Sequence, residues 1–275
     1  MIEIPEAAAI ARQINGTVSG RRIKTVIAAK SPHRFAWYHE DPQGYGDLLE
    51  SRVIGEAVGY GGLIEIEAEG VMLLFGDGIN LRFHSENEKR PQKHQLLIEF
   101  EDHSAISASV QMYGGLWCFR AGEFENKYYF LAKEKPSPLL DEFSEAYFDR
   151  IVSAPENDNL SAKALLATEQ RIPGLGNGVL QDILYNAGIH PKRKVKTFGD
   201  HHKSILFDSV KSTLAEMVAK GGRDTEKDLF GSSGGYETKL SRNTVNKPCS
   251  VCGTIVKKEA YLGGSIYYCP GCQEL

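Results

Sequence analysis

Apolar residues fall at helical spacing in the first segment of the chain, at alternate positions through the next hundred residues, and at helical spacing again thereafter. Residues 5–15 carry Ala7, Ile10, Ala11 and Ile14 on one face, which predicts a helix lying on a core. Pro5 suits the first helical position, Glu6 complements the positive helix end, and Asn15-Gly16 supplies a stop. From about 21 to 132 the period is two. Val71–Phe75 leads into Gly76-Asp77-Gly78, Gln95–Phe100 alternates up to Glu101-Asp102, and Ala105–Met112 precedes Gly114-Gly115. Many short strands without intervening helices predict a β-sandwich or barrel. Lys133–Pro138 holds two prolines, which break strand and helix alike, and reads as a linker. Helical patterns then cover 143–152, 161–169, 178–187 and about 199–220, where Gly221-Gly222 ends the last. Residues 231–236 read as a flexible, exposed loop.

Composition adds bounds rather than direction. The 275 residues are 41% hydrophobic and 25% charged, enough for two cores and a small stapled module. No apolar run approaches the ~20 residues of a membrane span, and the N-terminus is acidic rather than secretory, so a cytosolic protein without membrane contact is expected. The net charge of −4 hides an asymmetry. Acidic residues crowd the first half (Glu65, Glu67, Glu69, Glu99, Glu101, Asp102), and basic ones thicken after residue 190 (Lys192, Arg193, Lys194, Lys196, Lys203, Lys211). A basic stretch is more often a solvated surface than a binding face, so this changes little alone.

The cysteines change the picture more. Cys249-x-x-Cys252 and Cys269-x-x-Cys272 are two knuckles sixteen residues apart. Four thiolates at that spacing surround one Zn²⁺ tetrahedrally, at about 2.3 Å per sulfur. A pair of disulfides is the alternative, disfavoured where thiols stay reduced. Such a zinc is structural, one per chain, because four protein thiolates leave no position for a water. Cys118, in an apolar strand-like run, reads as a core residue.

A second cluster lies upstream. Gly174, Gly176 and Gly178 with Asn177 open a helix, so free N–H groups and close backbone approach make a phosphate-binding arrangement. Alone, the run reads better as a tight interhelical turn. Together with Lys163 before it, Gly188-Ile189-His190-Pro191 after it and the four cysteines downstream, the ligand-binding reading prevails. The implied organisation is α+β and multidomain. An N-terminal helix and antiparallel β-sandwich span 1–132, a linker 133–138, a helical domain 139–236 and a zinc finger 237–275.

Glu3, Pro5 and Glu6 at the start, the Gly174–Asn177 turn with Lys163 upstream, and the ending Tyr268-Cys-Pro-Gly-Cys-Gln273 carry a resemblance over the whole chain. It resembles the formamidopyrimidine-DNA glycosylase and endonuclease VIII family of base-excision repair. That resemblance implies a helix–two-turns–helix element that grips DNA through Lys163, Gly174, Gly176 and Asn177. It implies, as partner, double-stranded DNA with damaged bases or abasic sites, and a monomer in the bacterial cytosol, associated with the nucleoid. The implied reaction is base removal with AP-lyase strand cleavage: the N-terminal amine attacks C1′ of a flipped-out nucleotide, with Glu3 and Glu6 on the catalytic face. An α-amine titrates near 8, so a useful fraction is nucleophilic at neutral pH.

Departures from the family pattern cluster on that face. Ile2 stands where the family has proline, so the amine of Ile2 serves only if Met1 is removed, and a bulky second residue resists that removal. Gly62 stands for a hairpin lysine, Gly264 for a finger arginine, and Ala8 where an acidic residue is sought. Met112 and Tyr113 stand about where residues fill the hole left by a flipped base, but read slightly better as strand residues at a turn. Two functions from different classes are therefore expected: a glycosylase with AP-lyase activity, or a noncatalytic binder of damaged or bent DNA. A zinc-ribbon interaction module would explain the finger but not the glycine cluster.

Overall fold

Glu3 opens the first element. Its extended backbone sits just before helix α1 (Ile4–Thr17), and its N–H donates to Glu6 Oε2 at 3.2 Å, closing a capping box across the first turn. In the computed structural model, which describes residues 1–273 and 275, α1 rests on a sheet of seven strands. These are β1 (Ile23–Ala28), β2 (Ala36–Trp37), β3 (Ala57–Tyr60), β4 (Leu63–Ala68), β5 (Val71–His84), β6 (Leu96–Phe100) and β7 (Ala105–Arg120), with the short helix α2 (Tyr45–Leu49) between β2 and β3. The order is β1-β6-β7-β5-β4-β3, antiparallel, with β2 parallel to β7 at Ala36–Gly114 and Trp37–Gly115.

The expected sandwich forms from this one sheet because β5 and β7 are long enough to serve both layers. Val71–Asp77 pairs with Gly114–Arg120 beside β4, and Ile79–His84 pairs with Ala105–Val110 beside β6. An irregularity between Asp77 and Ile79 turns the corner. Ile66, Leu73 and Phe75 of one layer meet Ile98, Phe100 and Ile106 of the other, with Ile10 and Ile14 of α1 in the same core. Each such buried side chain contributes about 1.5–3 kcal/mol.

Helix α3 (Lys127–Glu134) covers the outer face of the β4 layer with Tyr129 and Ala132 against Leu63, Leu74, Trp117 and Phe119. The Asn126 side chain accepts from Tyr129 N at 3.0 Å and starts it. The first two residues of the expected linker, Lys133 and Glu134, are thus helical.

Helices α4 (Glu145–Val152), α5 (Ala162–Ala167), α6 (Val179–Asn186) and α7 (Asp200–Ala219) fall within the predicted segments and share a second core of Phe143, Phe148, Leu165, Ile183, Leu206 and Leu214. Ile4 belongs to this second core although its helix lies on the first, so α1 bridges the two. The 231–236 segment is not simply an exposed loop. Gly234 and Gly235 run against the end of α7, and Tyr236 is fully buried with its N–H on Gly222 O at 3.0 Å. A Cβ at Gly234 would come within 2.2 Å of Gly222 carbon, so the glycines permit backbone packing rather than freedom. The hairpin β8 (Lys257–Tyr261) and β9 (Gly264–Tyr268) follows. Among the described residues no helix is long and apolar enough to cross a membrane.

Candidate catalytic carboxylates and nucleic-acid cleft

Glu3 is buried between the two cores. Its carboxylate accepts from Gly178 N and Val179 N, both at 2.8 Å, and so occupies the N-terminus of α6. Gly176 and Gly178 make this possible: a Cβ at 176 would lie 2.6 Å from the Glu3 carboxyl carbon, and one at 178 would lie 1.6 Å from Arg223 Nη1. Gly174, at φ +77, packs its backbone against Gly61 and Gly62. The sequence reading assigned the free N–H groups of this turn to a phosphate. Two of them, those of Gly178 and Val179, hold the Glu3 carboxylate.

Arg223 completes the arrangement and was missed from sequence. Fully buried, it donates through Nη2 to Glu6 Oε2 at 2.7 Å and through Nε to Glu6 Oε1 at 3.0 Å, with Nη1 3.6 Å from Glu3 Oε2. Burial alone would lower its proton affinity, but the Glu3 and Glu6 charges raise it well above the ordinary arginine value. Glu3 is held above the usual carboxyl range. Its burial is the largest cause and the Glu6 charge adds to it, against the opposing Arg223 charge and the two N–H bonds. Such a carboxyl holds and returns a proton nearer neutral pH than a free one. The only sequence signal for Arg223 was indirect: two buried glutamates three residues apart need a cation.

Met1 and Ile2 lie at the mouth of this cluster. The Met1 amine is paired with Glu226, and its carbonyl accepts from Arg223 Nη2 at 3.4 Å. The nitrogen of Ile2 donates to Asp77 O at 2.8 Å, at the sheet corner, while the Ile2 side chain is buried in the first core. Gly62 is close by: a Cβ there would be 3.1 Å from Ile2 O and 3.2 Å from Tyr128 Oη. The tyrosine hydroxyl fills the place into which a side chain at 62 would grow, and burial raises its pKa to about 12.

Two open cavities meet here. One of about 250 Å³ is bordered by Asn177, Gln181 and Tyr267. The other, of about 200 Å³, is bordered by Ile2, Glu6 and Asn80. Met1, Gln111, Glu226 and Arg242 line both, so they form one cleft between the sheet and the helical domain. Met112 is exposed beside it, and Tyr113 is half-buried.

Lys163 and Asn177, expected to face DNA, are turned toward the finger. Lys163 Nζ donates to Tyr261 O at 2.6 Å and Asn177 Nδ2 to Ser265 O at 2.9 Å, while Asn177 Oδ1 is buried without a partner. Burial lowers the pKa of Lys163. A Cβ at Gly264 would sit 3.4 Å from Lys163 Nζ, so residue 264 lies directly over this pair.

The four sulfurs of Cys249, Cys252, Cys269 and Cys272 lie within 4.8 Å of one another, a spacing that fits a tetrahedral metal. Cys249 N donates to Thr254 O at 2.8 Å across the first knuckle, and the Tyr185 hydroxyl of α6 lies 3.0 Å from Cys249 Sγ. Asp182 ties the approach to the finger, accepting from Lys239 N and Leu240 N at 2.9 and 2.8 Å.

Comparison with known proteins agrees with this architecture, although no protein-family model matches. Formamidopyrimidine-DNA glycosylase of Prochlorococcus marinus is 30% identical over 196 residues, 69% of this chain and 66% of that one. The protein of that name from Listeria innocua is 26% identical over the full length of both. Among solved structures, the MutM (Fpg) protein of Thermus thermophilus superposes with a TM-score of 0.81 at 24% identity, covering 98% of each chain. Lactococcus lactis Fpg in complex with abasic-site DNA superposes with a TM-score of 0.84 at 22% identity, over 99% of this chain and 100% of that one. With its α1-capped sheet, its Glu3–α6 junction and its Cys₄ hairpin, the chain belongs to the formamidopyrimidine-DNA glycosylase and endonuclease VIII family.

Proposed function

We propose that this protein is a DNA glycosylase of base-excision repair with AP-lyase activity, acting on a damaged nucleotide flipped into the cleft. The observation that carries the reading is Glu3: a buried carboxyl with raised proton affinity, one residue from the nitrogen of Ile2 and fixed by α6. With Met1 removed, the lone pair of the Ile2 amine forms a bond to C1′ as the glycosidic C–N bond breaks, and the base leaves with a proton. Glu3 gives a proton to O4′ as the C1′–O4′ bond opens, the amine loses a proton to leave a C1′=N Schiff base, and loss of a C2′ proton then expels the 3′ phosphate. Flipping costs a few kcal/mol, least at damaged or mispaired sites.

The four cysteines would hold one structural Zn²⁺. It would fix the hairpin whose carbonyls receive Lys163 and Asn177, and it would take no part in bond making.

Borohydride trapping on abasic-site DNA, paired with the intact mass of the protein, tests the proposal. A chain beginning at Ile2 is expected to yield a covalent adduct, and Glu3→Gln to yield little. A chain verified to begin at Ile2 that gives no adduct on any lesion would overturn the Schiff-base reading. A second reading, a noncatalytic binder of damaged or bent DNA, is favoured by one observation: the Met1 amine is held by Glu226 and the Ile2 nitrogen by Asp77. It predicts retention of abasic DNA in a gel shift without nicking.

A further inference from the structure

Beside the cleft, Phe35 and Trp37 are 47% and 42% exposed and Met112 is 67% exposed. They are not scattered. β2 pairs with β7 at Ala36–Gly114 and Trp37–Gly115, and Gly114 N donates to Phe35 O at 3.0 Å. That pairing sets the Trp37 ring 5.7 Å from the Tyr113 ring at 33°. The Arg34 guanidinium lies 5.2 Å over the Phe35 ring. The platform is continuous with the cleft, because Gln111, next to Met112, lines both cavities.

Aromatic faces interleaved with cations bind unpaired nucleic acid, since every base has a π-face and stacking tolerates any sequence. A paired base inside a duplex offers only its edges. Of the nearby cations, Arg223 is committed to the glutamates and Lys192 to Glu259, Lys163 donates to Tyr261 O, and Arg242 lines the cleft. We propose that Trp37 and Phe35 extend the site beyond Met112 and Tyr113 as a base-stacking platform, so that the preferred ligand is DNA with several consecutive unpaired nucleotides. The proposal rests on the reading of the cleft as a DNA site but not on catalysis there.

The chain has two tryptophans, and Trp117 is only 9% exposed, in contact with Phe124. Trp37 is therefore the one that iodide and bound bases can reach. Emission of the full-length protein is titrated with an intact duplex, a duplex bearing one abasic site and a duplex with a five-nucleotide bubble. The bubble is expected to bind tightest, to quench Trp37 and to shield it from iodide. Trp37→Ala should weaken bubble binding about tenfold and intact-duplex binding by less than about twofold, with Trp37→Phe restoring most of the loss. Unchanged Trp117 emission in both variants would verify the fold.

Bubble binding without quenching, or equal bubble affinity in Trp37→Ala, would overturn the platform while leaving the DNA reading intact. Binding to none of the three DNAs would overturn both. A change in Trp37 emission with protein concentration alone would assign the patch to a second copy and likewise overturn the proposal.

Discussion

Arg223 separates two carboxylates that would otherwise repel each other in a dry site. Removing one partner of a buried ionic group costs more than the group itself contributes, because the remaining charges lose their compensation. Arg223→Ala is therefore expected to destabilise the protein by about 3–5 kcal/mol, read from urea unfolding. Without the guanidinium, whose charge opposes the effect of burial, Glu3 would hold a proton still more tightly when folded than when unfolded. The folded variant would then bind more protons, and its stability would fall as pH rises above the ordinary carboxyl range. The deficit against the native protein should be larger at pH 8 than at pH 5; a deficit independent of pH would show that the three residues do not act as one cluster. Glu6 was legible because it follows Pro5 in a helix-start pattern, and Glu3 through the family resemblance that the opening residues carry. Arg223 was not, because its partners lie 217 residues and more away and nothing local marks it.

At the scale of elements, α4 to α7 were legible within a few residues, α4 and α5 with capping side chains in Ser144 and Ser161, whereas α2 and most of α3 lie inside the stretch read as strands without helices. The glycine turn shows where pattern reading stops. Three glycines at a helix start announce an anion site, but spacing does not say whether the anion is a ligand or a carboxylate brought from the other end of the fold. The finger was legible as a metal site and not as a partner. Its hairpin carbonyls accept from Lys163 Nζ and Asn177 Nδ2, so loss of a bound metal should reach the helices. Cys252→Ser is expected to lower bound zinc from one per chain to near zero, to open β8 and β9 to proteolysis and to abolish DNA binding in a gel shift. Full binding with zinc verifiably absent would contradict that coupling.

At the scale of the whole molecule, the junction of the two cores is chemically specific. Ile4 crosses from α1 into the second core, and Glu3 supplies the N-terminal cap of α6. Each domain thus completes the other. Glu3→Gln replaces one accepting oxygen by a donor that faces another donor, so one of the two cap bonds is lost. Scanning calorimetry should then resolve two transitions where the native protein gives one. A single transition at an unchanged temperature would mean that the cores hold together without this cap. The change from sheet to helices was readable from the change of period, but the chemistry of their junction was not, because it depends on which faces meet.

The bond from the Ile2 nitrogen to Asp77 O has a practical consequence for how the protein is handled. That nitrogen is the last rung of the sheet corner in any form of the chain, but it is an amine only if nothing precedes it. An affinity tag, a protease scar or a retained initiator methionine leaves the rung in place and turns the atom into an amide. On the proposed Schiff-base mechanism, a recombinant preparation carrying such an extension would fold and occupy its DNA, yet give no strand cleavage. On that mechanism, whether the protein is scored as an enzyme or as a binder depends on whether Ile2 begins the chain, and a tag at the other end does not by itself free it.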